Sequence, residues 1–274
     1  MQLFACLPKA QGFGNRKEVA HVPEFHWMII PDYQSDRNKV PHLISGQTNL
    51  LLQNANESGE NSGRWVMKIG FLGAGKVTRA FGRHLINAGH TIVVSNSRGP
   101  ATLADFVADL GPGAIAGTRE QAAECDVVIL AVHWVNVPEA LQGIDWRGRV
   151  LIDATNAHIG AKPDISLAGV TRSRAALKGR MSSEIVAEMA VGARLVKSLS
   201  NMPMAWIEDF SPNKPRTVIF TSGDDADAKQ RVIELINGTG LVAIDLGSLA
   251  MGDAMQDVGG PLSGIEFHFI RRLR

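Results

Sequence analysis

The stretch Met67-Lys-Ile-Gly-Phe-Leu-Gly-Ala-Gly-Lys-Val-Thr-Arg-Ala-Phe-Gly82 decides the fold. It opens on a short apolar run, Ile69 to Leu72, of the kind that fills a strand buried on both faces. Gly73-Ala74-Gly75 makes a turn, and Val77, Phe81 and Leu85 then recur at a spacing of four, on one helical stripe. Strand, glycine turn and helix in that order form the first half of a dinucleotide-binding βαβ unit. Gly73 suits the tight turn, and Gly75 lets backbone N–H groups approach a pyrophosphate. The helix start then offers its unpaired donors and positive dipole end to the phosphates. Thr78 stands where the usual fingerprint has a third glycine. Gly70-x-x-x-x-Gly75-Lys76 also matches most of a nucleoside-triphosphatase P-loop, but that motif needs Ser or Thr after the lysine to hold Mg²⁺. Val77 follows instead, and Gly70 falls inside the apolar run.

Composition narrows the class. The 274 residues permit one large domain or two small ones, and 45% hydrophobic residues supply a sizeable core. A formal charge of +1 argues against a nucleic-acid partner or an anionic membrane surface. The two cysteines, Cys6 and Cys125, lie far apart, which fits a reducing compartment without a disulfide framework. No apolar run approaches the roughly twenty residues of a membrane span. The expectation is a soluble cytoplasmic protein without a metal site.

Residues 1–66 read differently from the rest. Their apolar residues have no helical or strand period, and Gln47 to Gly63 is rich in Asn, Gln, Ser and Gly. The cluster Phe25 to Ile30, bracketed by Pro23 and Pro31, is too short for the core of a signal peptide. These residues are expected to be a disordered extension or a stretch ahead of the true start, with a binding arm as the alternative. Residues 67–203 are expected to form a Rossmann dinucleotide-binding domain. Residues 204–274 then form a short α/β extension that completes the sheet and the substrate face.

The second strand, Thr91 to Ser95, ends on Asn96-Ser97-Arg98. An NAD site places a carboxylate near this point to accept from the ribose hydroxyls. Here hydroxyls, an amide and a guanidinium stand instead, a set that suits the 2′-phosphate of NADP. Pro100 to Leu110 reads as a helix, Ala114 to Gly117 as a short strand, Arg119 to Glu124 as a brief helix and Asp126 to Val132 as an apolar strand. His133-Trp134 closes that strand, so both side chains fall where an open parallel sheet meets nicotinamide and substrate. His133 is the candidate acid–base, and Trp134 a pocket wall. Arg149 to Ala154 is a fifth strand, and Asn156 beyond it is placed to touch the ribose or carboxamide. Ala157 to Arg180 shows weak periodicity and reads as a long loop; Ser182 to Ala190 reads as a helix with hydroxyls at its start. Leu195 to Leu199, Thr217 to Thr221 and Leu241 to Asp245 are the last strands, with a helix capped by Asp224 before the third. Ile265 to Leu273 reads as a short helix. Strands alternating with helices predict α/β architecture, a doubly wound and mainly parallel sheet.

Met67 to about Gly264 resembles the NADP oxidoreductase, coenzyme F-420-dependent family. The resemblance rests on Gly73-Ala-Gly75, Ser97-Arg98, Val132-His-Trp134, Ser183-Glu-Ile-Val-Ala-Glu188, Met202-Pro203, Gly223-Asp-Asp225 and Asp245-Leu-Gly-Ser-Leu249. It implies that Gly73, Ala74, Gly75, Lys76, Val77, Ser97 and Arg98 hold NADP(H), with Asn96, Val132 and Asn156 beside them. His133, Trp134, Ser200 and Asn201 would face a small-molecule redox acceptor, in the family a deazaflavin. His133 replaces a proline of the best-known members, and Ser200-Asn201 replaces a His-Thr or Asn-Thr pair, which leaves the acceptor open. Direct hydride transfer needs no protein nucleophile, so positioning carries the catalysis. Two further readings stay in view: an imine or ketone reductase of the pyrroline-carboxylate reductase style, and a non-catalytic NADPH-binding redox sensor. A homodimer is left open.

Overall fold

In the computed structural model, which describes residues 66–160, 164, 166–208, 210 and 214–270, the run Ile69–Leu72 fills β1 (Lys68–Leu72). The expectations for residues 1–65 lie outside the described residues. After β1 come β2 (Thr91–Ser95), β3 (Ala114–Ala116), β4 (Val127–Leu130), β5 (Val150–Asp153) and β6 (Arg194–Ser198). Then follow β7 (Arg216–Ser222), β8 (Val242–Asp245) and β9 (His268–Phe269). The sheet order is β3-β2-β1-β4-β5-β6-β7-β8, with β9 paired to β7. Neighbours from β3 through β6 are parallel. The direction reverses at Lys197↔Ser222 and Ser198↔Thr221, β8 then runs parallel to β7, and β9 pairs antiparallel with β7. The doubly wound, mainly parallel sheet expected from the sequence is present. Chain order switches across β1, which lies between β2 and β4, and a crevice beyond the C-terminal strand ends follows from that switch.

Helices cover both faces. They are α1 (Lys76–Asn87), α2 (Ala104–Leu110), α3 (Arg119–Ala123), α4 (Val137–Leu141), α5 (Leu167–Ala176), α6 (Ser182–Met189), α7 (Ala226–Gly238) and α8 (Leu249–Gln256). Phe81 and Leu85 of α1 and Val232 and Ile236 of α7 join Ile69, Phe71, Ile129 and Ile152 in one apolar layer. Ala122, Leu141 and Val186 join Leu72, Val128, Leu130 and Leu151 in the other. Fully burying each large aliphatic or aromatic side chain contributes about 1.5–3 kcal/mol, so these two layers are what hold the strand ends in place.

Four local expectations are corrected. Residues 157–180 are not one loop: α5 occupies Leu167–Ala176, with Ser166 Oγ accepting from Gly169 N–H at 3.1 Å. This helix buries only Gly169 and Ser173 and leaves Leu167 84% exposed, so it carries no apolar stripe to read. The N-cap of α7 is Asp225, which accepts from Ala228 N–H at 2.9 Å, while Asp224 accepts from Leu249 N–H. Arg194 grips Asp225 with two bonds and, with that backbone bond, holds its carboxyl down at about 2. Ser182 and Ser183 do not cap α6; their hydroxyls turn inward to carboxylates. In the described part of the 265–273 stretch, His268–Phe269 forms β9, antiparallel to the start of β7, where a helix was expected.

Candidate cofactor site

Gly73 has φ +118°, and a Cβ on it would fall 2.2 Å from the Ala131 carbonyl oxygen and 3.2 Å from Val132 Cγ1. The turn needs glycine there because the end of β4 presses on it. Its N–H donates to the Ser95 carbonyl at 3.0 Å, which ties the loop to the end of β2 as well. Gly75 differs. Its φ of −109° and ψ of −159° suit any residue, and a Cβ there would meet no protein atom within 4 Å. Gly75 is the N-cap of α1; no side chain caps that end, and its first turn holds no acid. An uncapped, acid-free helix start facing open space fits a diphosphate. Thr78, fully buried, donates from Oγ1 to the Gly73 carbonyl at 2.8 Å. It fastens the turn that a third glycine would only leave room for.

At the end of β2, Ser95 is buried and donates to the Phe71 carbonyl at 2.8 Å. Asn96 shapes the turn: its Oδ1 accepts from Arg98 N–H at 3.0 Å and its Nδ2 donates to Thr102 Oγ1 at 2.9 Å. Ser97 and Arg98 are left exposed, and among the described residues the Arg98 guanidinium makes no ion pair. A cleft of about 430 Å³ runs from Ala74 to Arg98 and is also bordered by Arg79, Thr102, Phe106 and Asp109. The residues present therefore fit NADP: an open cradle for the diphosphate, and a guanidinium that, among the described residues, pairs with neither carboxylate of the cleft, Asp105 or Asp109. Lys76 is exposed and Val77 half-buried against the core.

The other end of the crevice is enclosed. Val132 and Trp134 are half-buried against the apolar layer that contains Leu130 and Val137, and His133 is exposed. Asn156 Nδ2 donates to the Ser200 carbonyl at 2.8 Å, which joins the segments after β5 and β6. Asn156 Oδ1, Ser200 Oγ and both side-chain polar atoms of Asn201 are buried without a partner among the described residues. Ser200 and Asn201 are 6% and 1% exposed, so this pair is not an open rim. Burial pushes the nearby His158 imidazole below the usual histidine range; Asp257 opposes this and His133 adds to it.

Two groups of residues escaped the sequence reading. Arg79 lines the cleft one helical turn after Gly75. Lys197, the last but one residue of β6, is fully buried, and its Nζ donates to Asp153 Oδ2 at 3.2 Å and to the Thr155 carbonyl at 2.7 Å. The Ser182 hydroxyl and the Ser183 N–H donate to Asp253, and the Ser183 hydroxyl donates to Asp153, so β5, β6, α6 and α8 meet on one buried charge cluster. Burial pulls the Lys197 ammonium down, but Asp153, Asp257 and Asp253 outweigh it and leave the group above the ordinary lysine range. Burial raises the Asp253 carboxyl against the pull of Lys197. The signal was there: a lysine inside an apolar strand must find partners.

The strand order, the glycine loop and the arginine turn define the class, a Rossmann-fold NAD(P)-binding oxidoreductase. The chain belongs to the NADP oxidoreductase, coenzyme F420-dependent family, whose model matches residues 68–157, and NADP(H) is the cofactor of that family. A hypothetical protein from Sinorhizobium meliloti shares 31% identity, covering 81% of this chain and 100% of its own, with a TM-score of 0.65. The metalloreductase STEAP3 of Rattus norvegicus is 24% identical over 186 residues, 67% of this chain and 34% of its own length. The chain thus spans about a third of the length of the curated relatives it matches. A reductive aminase from Aspergillus terreus, solved with NADPH and ethyl-5-oxohexanoate, shares the fold at 19% identity and a TM-score of 0.50, covering 70% of this chain and 59% of its own. Among the described residues no helix is long and apolar enough to cross a membrane.

Proposed function

We propose that the chain transfers a hydride between NADP(H) and a small redox acceptor, with a deazaflavin of the F-420 kind as the leading candidate. The observation that carries the reading is the open space at Gly75 next to a cleft that runs from Ala74 to Arg98, whose guanidinium makes no ion pair among the described residues. In this reading Gly73, Ala74, Gly75, Lys76 and Val77 hold the diphosphate, and Ser97 and Arg98 read the 2′-phosphate, on a turn that Asn96 shapes. Val132 and Asn156 border the nicotinamide. The acceptor side is assigned to His133 and Trp134, with the buried, unpartnered side chains of Ser200 and Asn201 available to it, and the exposed His133 imidazole is the group able to pass a proton to an acceptor that needs one. Bound NADPH supplies the hydride. The protein's part is to fix distance and exclude water, which is where orientation contributes most to such a transfer.

A spectrophotometric screen of NADPH oxidation against a deazaflavin, flavins, quinones, ferric chelates and small carbonyls tests the proposal. The metalloreductase relatives are the reason for including the metal chelates. Steady oxidation with at least one class is the expected result. Tight NADPH binding with no oxidation by any of them would overturn the enzymatic reading in favour of a sensor.

A further inference from the structure

The cleft beside Arg98 holds a second guanidinium. Arg79, on the first turn of α1, lies over the Phe106 ring with Cζ 4.8 Å from the centroid. It is paired with Asp109, which also holds Arg83 at 2.8 Å. Arg79 and Arg98 line the cleft together with Asp105 and Asp109, two charges of each sign, and Arg83, bound to Asp109 outside that lining, adds a further cation. The Arg79 and Asp109 side chains are 39% and 43% exposed, so water screens their attraction and the pair exchanges easily. A phosphate dianion is the stronger competitor, since it offers a guanidinium two oxygens at once and a higher charge.

We infer that Arg79 is a second reader of the 2′-phosphate, and that Asp109 stands in for that phosphate as an internal anion until NADP(H) displaces it. Phe106 holds the guanidinium against the cleft wall, so little order is lost when the partner changes. Asp109 thereby sets a threshold: anions of single charge do not free Arg79, and a 2′-phosphate does. Arg83 retains Asp109 when Arg79 leaves, so no carboxylate is stranded.

The inference rests on the reading that this cleft takes the adenosine end of the cofactor, and calorimetry on the full chain separates the two. Adenosine 2′,5′-bisphosphate, 5′-AMP, NADPH and NADH serve as probes at one fixed ionic strength. Arg79→Gln is expected to weaken adenosine 2′,5′-bisphosphate and NADPH by about tenfold and to leave 5′-AMP and NADH unchanged. Asp109→Asn is expected to tighten both 2′-phosphorylated probes several-fold. Equal effects of Arg79→Gln on all four probes, or none on any, overturn the reader role; unchanged or weaker binding by Asp109→Asn overturns the competitor role. If wild-type protein itself binds NADH as well as NADPH, the fault lies with the cleft assignment. A melt of each variant confirms that these exposed substitutions leave the fold intact.

Discussion

The two polar ends of the crevice are built in opposite ways. At the Gly75–Arg98 end the charges stand in water and the helix start is bare, as the proposed anion site requires. Beyond β5 and β6, Lys197, Asp153 and Asp253 are fully buried and satisfy one another inside the protein. An exposed cation has little bearing on stability and much on ligand choice; a buried one has the reverse. On the proposed reading, the same residue types recognise in one place and brace in the other. Bracing still serves the site, because Lys197 holds the Thr155 carbonyl next to Asn156.

The sharpest way to break this contrast is to remove the buried cation. Lys197→Met leaves two carboxylates buried without their partner, and a loss of about 3–5 kcal/mol is expected in denaturant unfolding. A loss within about 0.5 kcal/mol, the range of ordinary surface substitutions, would mean that the cluster does not brace the sheet. At the open end the effects should fall on binding alone. Gly75→Val is compatible with the local backbone and meets no neighbour, so its melt should match wild type. Its isopropyl group fills the cradle, and NADPH affinity should drop by about a hundredfold or more. Undiminished binding by the folded variant removes the fingerprint reading.

Smaller effects sharpen the comparison. Asn96→Asp keeps acceptors for the Arg98 N–H and the Thr102 hydroxyl, so the turn should survive. The new carboxylate repels the 2′-phosphate and accepts from a ribose hydroxyl, shifting the NADPH-to-NADH preference by roughly tenfold toward NADH. Titration of the variant with both cofactors reads this shift directly. The smallest effect belongs to His158. Its imidazole is depressed below 6.5 in the folded protein, so its contribution to stability is present above that pH and is lost as pH falls through the lowered value. His158→Gln should flatten the fall of the melting temperature between about pH 7 and 5, relative to wild type. Parallel pH curves for the two proteins would contradict the assignment.

Much of the open end could be read from the chain because its signals are local. Gly73, Gly75 and Arg98 act through their own backbone or their own exposure, within one βαβ unit. The enclosed end depends on contacts across long stretches of chain: Lys197 lies 44 residues from Asp153 and 56 from Asp253 in sequence (197 − 153; 253 − 197). α8 offers no apolar stripe to read either, because its buried face includes Gly252, Asp253 and Gln256 beside Leu249. Thr78 shows the limit of motif matching from the other side. As a missing third glycine it counted against the fingerprint, yet its hydroxyl is what pins the Gly73 turn.

The central claim is that the open end reads the 2′-phosphate through Arg98. Dissociation constants of NADPH and NADH for wild type and Arg98→Ala, at one ionic strength, test it most directly. Hydrogen bonds to charged groups contribute about 1.5–3 kcal/mol, so NADPH should weaken roughly ten- to a hundredfold while NADH is unaffected. Equal weakening of both cofactors would contradict the claim and leave Arg98 as a support for the loop.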